Sequence, residues 1–352
     1  VVLSNIVLIS AKVPNFMYLG RFTGILGNFA SIFWDKSYVT RRISAMTRFR
    51  LTDEEKANYD RYFSKKWAAE VDASTAIEER PVLAAQVCSS GIHSLDYALG
   101  GGLPSGLVEV YGAEGEGKTT LLYAMLANAQ RHSIGTVLLQ SEYFDAPRVE
   151  RLGIDPADLL VVRTKSLEDA SAVIKDLLSA TDDVILAVDS LTSLRPSDDS
   201  PGRWQAVLSE ELPTWGEALR PRSALVVLNQ VRARKSADRR KMFAGGTNSA
   251  AVKLAEEFAV RLEVSRTEVS EKCYTLVINI VANVLRCPSL VAQVPASKED
   301  GVDVHLDLVR FGVAHGLIER RGSWVYLGTT RLGQGEVEAA RSLVALSIRH
   351  LI

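Results

Sequence analysis

The chain has 352 residues, of which 47% are hydrophobic and 24% charged, and its formal net charge is -1. That is ordinary globular composition, long enough for one large domain of about 200–250 residues with smaller pieces at either end. The near-zero charge excludes a chain that is basic throughout, so any contact with nucleic acid has to come from a local patch.

Cys88, Cys273 and Cys287 are odd in number and widely spaced, which suggests neither a disulfide framework nor a zinc site. No apolar run reaches about 18 residues, and the short apolar stretch 1–11 has no positive flank in front of it. A reducing, cytoplasmic setting with no membrane partner is the expectation.

Residues 1–50 carry seven Lys/Arg against one Asp and show no period, so they form a divergent arm, either poorly packed or a basic segment that touches DNA. Thr52 followed by Asp53, Glu54 and Glu55 looks like a helix start. Asn58, Tyr59, Tyr62, Phe63 and Trp67 then recur at helical spacing and need a face to bury against, on the core or on a neighbouring subunit. This segment, 51–80, precedes a core expected over 81–295 and a small C-terminal domain over 296–352.

Within the core, short strands read at 107–111, 137–140, 182–189 and 224–228, with helices at 118–131, 167–180 and 203–220 between them. Strands apolar on both sides, alternating with helices, predict an α/β fold with a mostly parallel sheet covered on both faces. Later come a helix at 247–258 and strands at 259–264, 273–282 and 291–294. The C-terminal part reads as a helix at 306–318, a strand pair around 324–327 and a final helix at 336–349.

Gly112-Ala113-Glu114-Gly115-Glu116-Gly117-Lys118-Thr119 fits the G-x-x-x-x-G-K-[ST] phosphate loop in full, between a buried strand and a helix. Its glycines let backbone N–H groups converge on phosphates, and the helix N-terminus adds a favourable dipole. Lys118 reaches toward the β and γ phosphates of ATP, and Thr119 toward Mg2+, with Thr120 beside them.

Asp189 ends the most apolar strand and suits the metal, with Ser190 after it. Glu142, just past the second strand, can orient and activate the attacking water. Asn229-Gln230 closes the fourth strand, where an amide can sense the γ phosphate and report to the next loop.

That loop is strongly basic. Arg232, Arg234, Lys235, Arg239, Arg240 and Lys241 face one acid, Asp238, and Met242 and Phe243 can stack on bases. The bland alternative is a solvated charged loop.

From about Ser90 to Val344 the chain resembles the bacterial RecA recombinase family. The resemblance rests on Gly91–Asp96 with Gly101-Gly102-Leu103-Pro104, on the phosphate loop with Thr120, and on Ser141-Glu142 followed by Leu152-Gly153-Ile154-Asp155. It continues through Val188-Asp189-Ser190, Leu228-Asn229-Gln230-Val231-Arg232, Gly245-Gly246 and Gly316-Leu317-Ile318-Glu319. Gly322-Ser323-Trp324 and Gly333-Gln334-Gly335 complete it.

The resemblance implies a RecA-type P-loop core with a small C-terminal α+β domain. It also implies ATP-dependent helical filaments on single-stranded DNA that pair it with double-stranded DNA and exchange strands in DNA repair. By that likeness Glu142 is the catalytic base and Gln230 the nucleotide sensor. Asp145 lies near the adenine, Arg232–Ala244 is the second DNA loop, and a first loop falls near Arg195 to Arg203. The helix at 53–68 takes the polymerisation role.

Several departures bear on this. The stretch between Asp189 and Gln230 is shorter than the family pattern by roughly ten residues. Arg148 stands where the family has an adenine-stacking tyrosine. Ile280-Val281-Ala282-Asn283-Val284-Leu285-Arg286 has no counterpart of the lysine pair that reaches a neighbour's ATP. Such divergence is that of a specialised or phage-encoded member. Two other readings therefore stand beside the recombinase: an accessory protein of repair or translesion synthesis with weak ATPase activity, and a ring motor on the same core.

Overall fold

A computed structural model describes residues 7–9, 87–141, 144–180, 182–198, 200–230, 254–283 and 291–349. The expected helix at 53–68 and most of the helix at 247–258 lie outside them.

Local chemistry builds the strands first. β1 (Val7–Ile9), β4 (Gly106–Gly112), β5 (Gly135–Gln140), β6 (Leu159–Arg163), β7 (Val184–Asp189) and β8 (Ala224–Gln230) are short, and β4 to β8 are almost wholly buried. β9 (Val260–Glu268), β10 (Cys273–Asn283), β11 (Val291–Ser297) and β12 (Gly301–Val302) follow, and along β9 and β10 burial alternates residue by residue. The contrast reflects the covering. Strands between two helical layers need apolar residues on both sides, while a half-covered antiparallel strand needs them on one.

The ten strands form one sheet in the order β1-β6-β5-β7-β8-β4-β9-β10-β11-β12, parallel from β6 to β9 and antiparallel outside that block. A second, smaller pair joins β2 (Val87–Cys88) to β3 (Leu103–Pro104). Sequence patterning does not reveal β1, β2, β3, β6 or β12. β6 is five residues with no clear period of its own, and pairing with β5 makes it a strand.

The helices cover the two faces. α1 (His93–Leu99) and α2 (Lys118–Arg131) come first, and α2 packs Leu121, Leu122, Met125 and Leu126 onto Val108, Val110, Leu138 and Val226 in the main core. α3 (Ala146–Arg151) begins at Asp145, whose carboxylate accepts the Arg148 N–H at 3.2 Å. α4 (Leu167–Ala180) and α5 (Arg203–Ala218) are tied together by Trp215, which donates to Ser171 Oγ at 2.9 Å. Ser171 in turn donates to Glu211 at 2.5 Å. α5 stops two residues short of expectation because Leu219 is already extended.

At the C-terminal end α6 (Val304–Ala314) closes before its expected end at 318, with Gly316 in the left-handed region just after the cap. The expected strand pair is a three-stranded antiparallel sheet of β13 (Glu319–Arg321), β14 (Trp324–Leu327) and β15 (Thr330–Gln334). With α6 and α7 (Glu336–Arg349) it encloses a small core of Val309, Ile318, Val325, Leu332, Ala339 and Leu343. Asp307 of α6, 1% exposed, holds α1 by accepting from both the N–H and the hydroxyl of Ser94. The fold is thus α/β with a central parallel block, plus a small C-terminal antiparallel sheet with helices.

Asp96 of α1 accepts from Ser89 Oγ at 2.6 Å and from the Ser90 N–H at 2.8 Å. Burial still outweighs these bonds and pushes its carboxyl up to about 6. A carboxyl raised above its unfolded value of about 3.9 adds stability below that value and loses it as pH rises through the folded value. Denaturant unfolding is therefore expected to show an Asp96 contribution that falls from about pH 4 to about pH 6, and Asp96→Asn to flatten that slope.

Candidate functional site

The parallel register brings the motif residues to one edge. Gly112 stands opposite Gln230, and Gln140 opposite Asp189. The chain leaves β4 through α2 to β5 and skips two positions, which β7 and β8 later fill. A crevice outside the carboxyl ends of such strands is where an open α/β sheet takes its ligands.

The loop between β4 and α2 is held tightly. A side chain at Gly112 would collide with the carbonyl of Val264 on β9. At Gly117, in the left-handed region with φ 90, a Cβ would lie 2.5 Å from Leu276 Cδ2 on β10. Close approach to backbone requires the glycine at 112, while at 117 the left-handed conformation requires it, with the Leu276 side chain crowding the position as well. Glu116 accepts the Arg266 N–H at 2.6 Å and ties the loop to β9.

Lys118 opens α2 with its ammonium donating to the carbonyls of Gly112 at 2.9 Å and Ala113 at 2.6 Å. Burial pulls its pKa down, and Asp189, Glu116 and Glu114 work against that. Thr119 donates to Asp189 Oδ2 at 3.1 Å, across 70 positions of chain. The Asp189–Ser190 peptide is cis. Beyond it, Ser193 and Ser141 share a 2.5 Å hydroxyl contact that links the ends of β7 and β5.

A cavity of about 360 Å³ lies over the loop, lined by Glu114, Gly115, Gly117, Lys118, Thr119, Thr120, Asp189, Ser190 and Gln230 and completed by Arg148, Leu228, Arg266, Tyr274 and Lys298. That volume suits a small-molecule ligand. The donors suit a nucleoside triphosphate with a hard cation. The loop lysine offers a cation to an anionic ligand, and a Thr hydroxyl beside a carboxylate offers oxygen ligands. Among the described residues no group of three or more His, Cys, Asp or Glu could hold a metal. A cation here would thus rely on Thr119, Asp189 and the ligand's own oxygens.

The structure brings Lys118, Thr119, Thr120, Glu114, Gly115, Gly117, Asp189 and Gln230 together, while Gly112 and Glu116 brace the loop from behind. Asp145 caps α3 and is not among the cavity-lining residues. Arg195 and Arg203 lie apart from the cavity. The Arg195 N–H donates to Lys165 O at 2.8 Å, the nearby Ser197 is held on Glu168, and Arg203 opens α5. Glu142 and the basic run (Arg232, Arg234, Lys235, Arg239, Arg240, Lys241, Met242, Phe243) lie outside the described residues. Sequence reasoning misses Arg266, Tyr274 and Lys298. They sit on β9, on β10 and just after β11, and no local motif marks them.

This arrangement, a buried strand, a glycine loop, a helix opening on Lys-Thr and an Asp two strands away, defines the P-loop class of α/β protein. The sequence profile of the RecA N-terminal domain matches residues 71–289. The protein RecA of Chlorobaculum tepidum is 29% identical over 303 residues, covering 78% of this chain and 86% of its own length. RecA of Thermus thermophilus is 31% identical over 285 residues, covering 75% and 82%. The chain belongs to the RecA family, at a distance from these relatives. No helix among the described residues is long and apolar enough to cross a membrane.

Gly117→Ala is expected to cost about 1–3 kcal/mol in denaturant unfolding, because the methyl meets Leu276 and the left-handed backbone is strained. Trimming the neighbour as well, in Gly117→Ala/Leu276→Ala, should remove the clash but not the strain. Equal stability of Gly117→Ala and the parent protein would count against the tight loop.

Proposed function

We propose that this RecA-family chain is an ATP-dependent DNA-binding recombinase, which assembles on single-stranded DNA as a helical filament and pairs it with a duplex. The observation that carries the reading is the convergence of Lys118, Thr119, Asp189 and Gln230 on one cavity, with a strongly basic run starting two residues after Gln230.

Each residue has a defined task. Backbone N–H groups of the loop and the N-terminus of α2 receive the phosphates, and Lys118 exchanges its two carbonyl partners for phosphate oxygens. Thr119 and Asp189 hold Mg2+, which when bound supplies positive charge to the phosphate oxygens. Glu142, following Ser141 at the carboxyl edge, orients the attacking water and takes its proton. Gln230 ends β8 at the cavity and leads directly into the basic run, so a shift of its amide is felt by the segment that grips DNA. Arg232, Arg234, Lys235, Arg239, Arg240 and Lys241 neutralise the DNA backbone, while Met242 and Phe243 meet the bases.

A second reading has its own support. β10 ends on Val281, Ala282 and Asn283, with no lysine there, which favours an accessory role with slow turnover. Both readings share the nucleotide site and differ in catalysis.

The test is ATP turnover with and without single-stranded DNA on the intact chain. Strong stimulation is expected, and Lys118→Ala is expected to abolish both turnover and nucleotide-dependent assembly. Binding without stimulation would transfer the weight to the accessory role, and an undiminished Lys118→Ala protein would sink the nucleotide assignment. Separately, neutralising Arg239 and Arg240 should weaken DNA binding alike for all sequences, because phosphates carry no base code. The slope of log affinity on log salt should fall by about one for each phosphate left without its cation. An unchanged slope in a salt titration would remove the loop from the interface.

A further inference from the structure

Resting on that reading of the cavity, the geometry points to a second cationic arm for the phosphates, supplied by this chain itself. Arg266 and Lys298 form a clamp on the polyphosphate that Glu268 holds in reserve.

Four cations and two carboxylates line the cavity: Lys118, Arg148, Arg266 and Lys298 against Glu114 and Asp189. The excess of positive charge complements an anionic ligand, and Lys118 is the one cation among them that belongs to the loop motif. Arg266 is placed by β9. Its own N–H donates to Glu116 of the loop, and its guanidinium lies 5.6 Å from the centre of the Tyr274 ring. Tyr274 lies in turn beside Gly117, the last loop residue before Lys118. Backbone and side chain of Arg266 are thus both anchored next to the loop.

Lys298 arrives from a different direction, just past β11, with its N–H on the Lys272 carbonyl at 2.9 Å. The two cations share one counter-ion. Glu268 Oε1 lies 3.2 Å from Arg266 Nε, and Glu268 Oε2 lies 3.9 Å from Lys298 Nζ. All three side chains are a third to a half exposed, so the carboxylate contacts are screened and weak enough to yield. A phosphate chain carries more charge and more acceptor oxygens than one carboxylate, and an arginine matches it with two parallel N–H groups. Arrival of the phosphates therefore moves Arg266 and Lys298 off Glu268. Empty, the site keeps its cations paired and does not hold them as bare charges at the mouth.

Glu268 makes the inference discriminating, since a competitor and a structural support predict opposite signs. Equilibrium binding of a non-hydrolysable ATP analogue with Mg2+, of ADP and of adenosine would be measured on the full chain. Arg266→Ala and Lys298→Ala are expected to weaken the analogue about five- to thirtyfold, ADP less, and adenosine not at all. Glu268→Gln is expected to tighten the analogue about two- to fivefold and to steepen the salt dependence. Weaker binding in Glu268→Gln, or unchanged binding in both alanine variants, would overturn the clamp while leaving the nucleotide site standing. A parent protein that fails to bind the analogue would overturn both.

Discussion

The in-register parallel pairing of β4 with β8, and of β5 with β7, is the constraint on which the site is built. Because Gly112 faces Gln230 and Gln140 faces Asp189, a loop, a carboxylate and an amide from distant parts of the chain finish at the same height. A slip of one residue in any pair would exchange the two buried faces of that strand and press its side chains into sites packed for others. The apolar faces of β4 to β8, covered by α2 on one side and by α4 and α5 on the other, make such a slip costly. The core thereby sets the height of the site.

The phosphate loop has a second dependence, on strands beyond the parallel block. β9 and β10 press against Gly112 and Gly117, and Glu116 fixes the loop to the Arg266 backbone. Behind the loop, on the opposite face of the sheet from α2, Glu109 accepts from Asn229 at 2.9 Å and pairs with Arg261 at 2.6 Å. Glu109 is 1% exposed, and its two close partners offset the cost of burying so polar a group. The network joins β4, β8 and β9, and in doing so it holds Asn229, the neighbour of Gln230, in place.

Legibility in the sequence tracks the range of the interactions. α2, α4 and α7 read at their observed ends, since a helical period and its flanking residues are local signals. β7 and β10 read nearly to their bounds from their apolar character or alternation. β6 escapes because five residues without a period become a strand only on pairing. The end of α6 reads too late because apolar residues continue past it, and Gly316, which turns the chain, looks like one more small residue within that run.

Consecutive residues are enough to specify the phosphate loop, its Lys118 and Thr119, the alternation of strand and helix, and the basic run after Gln230. In each of these, glycine backbone freedom, side-chain period or local charge acts over a few positions. The meeting of Thr119 with Asp189 across 70 positions is different in kind, and only the packed fold settles it. The same holds for the gathering of Arg148, Arg266, Tyr274 and Lys298 around one cavity. Such meetings depend on strand order and register, which arise from burying many apolar faces at once. No short stretch of residues encodes that sum.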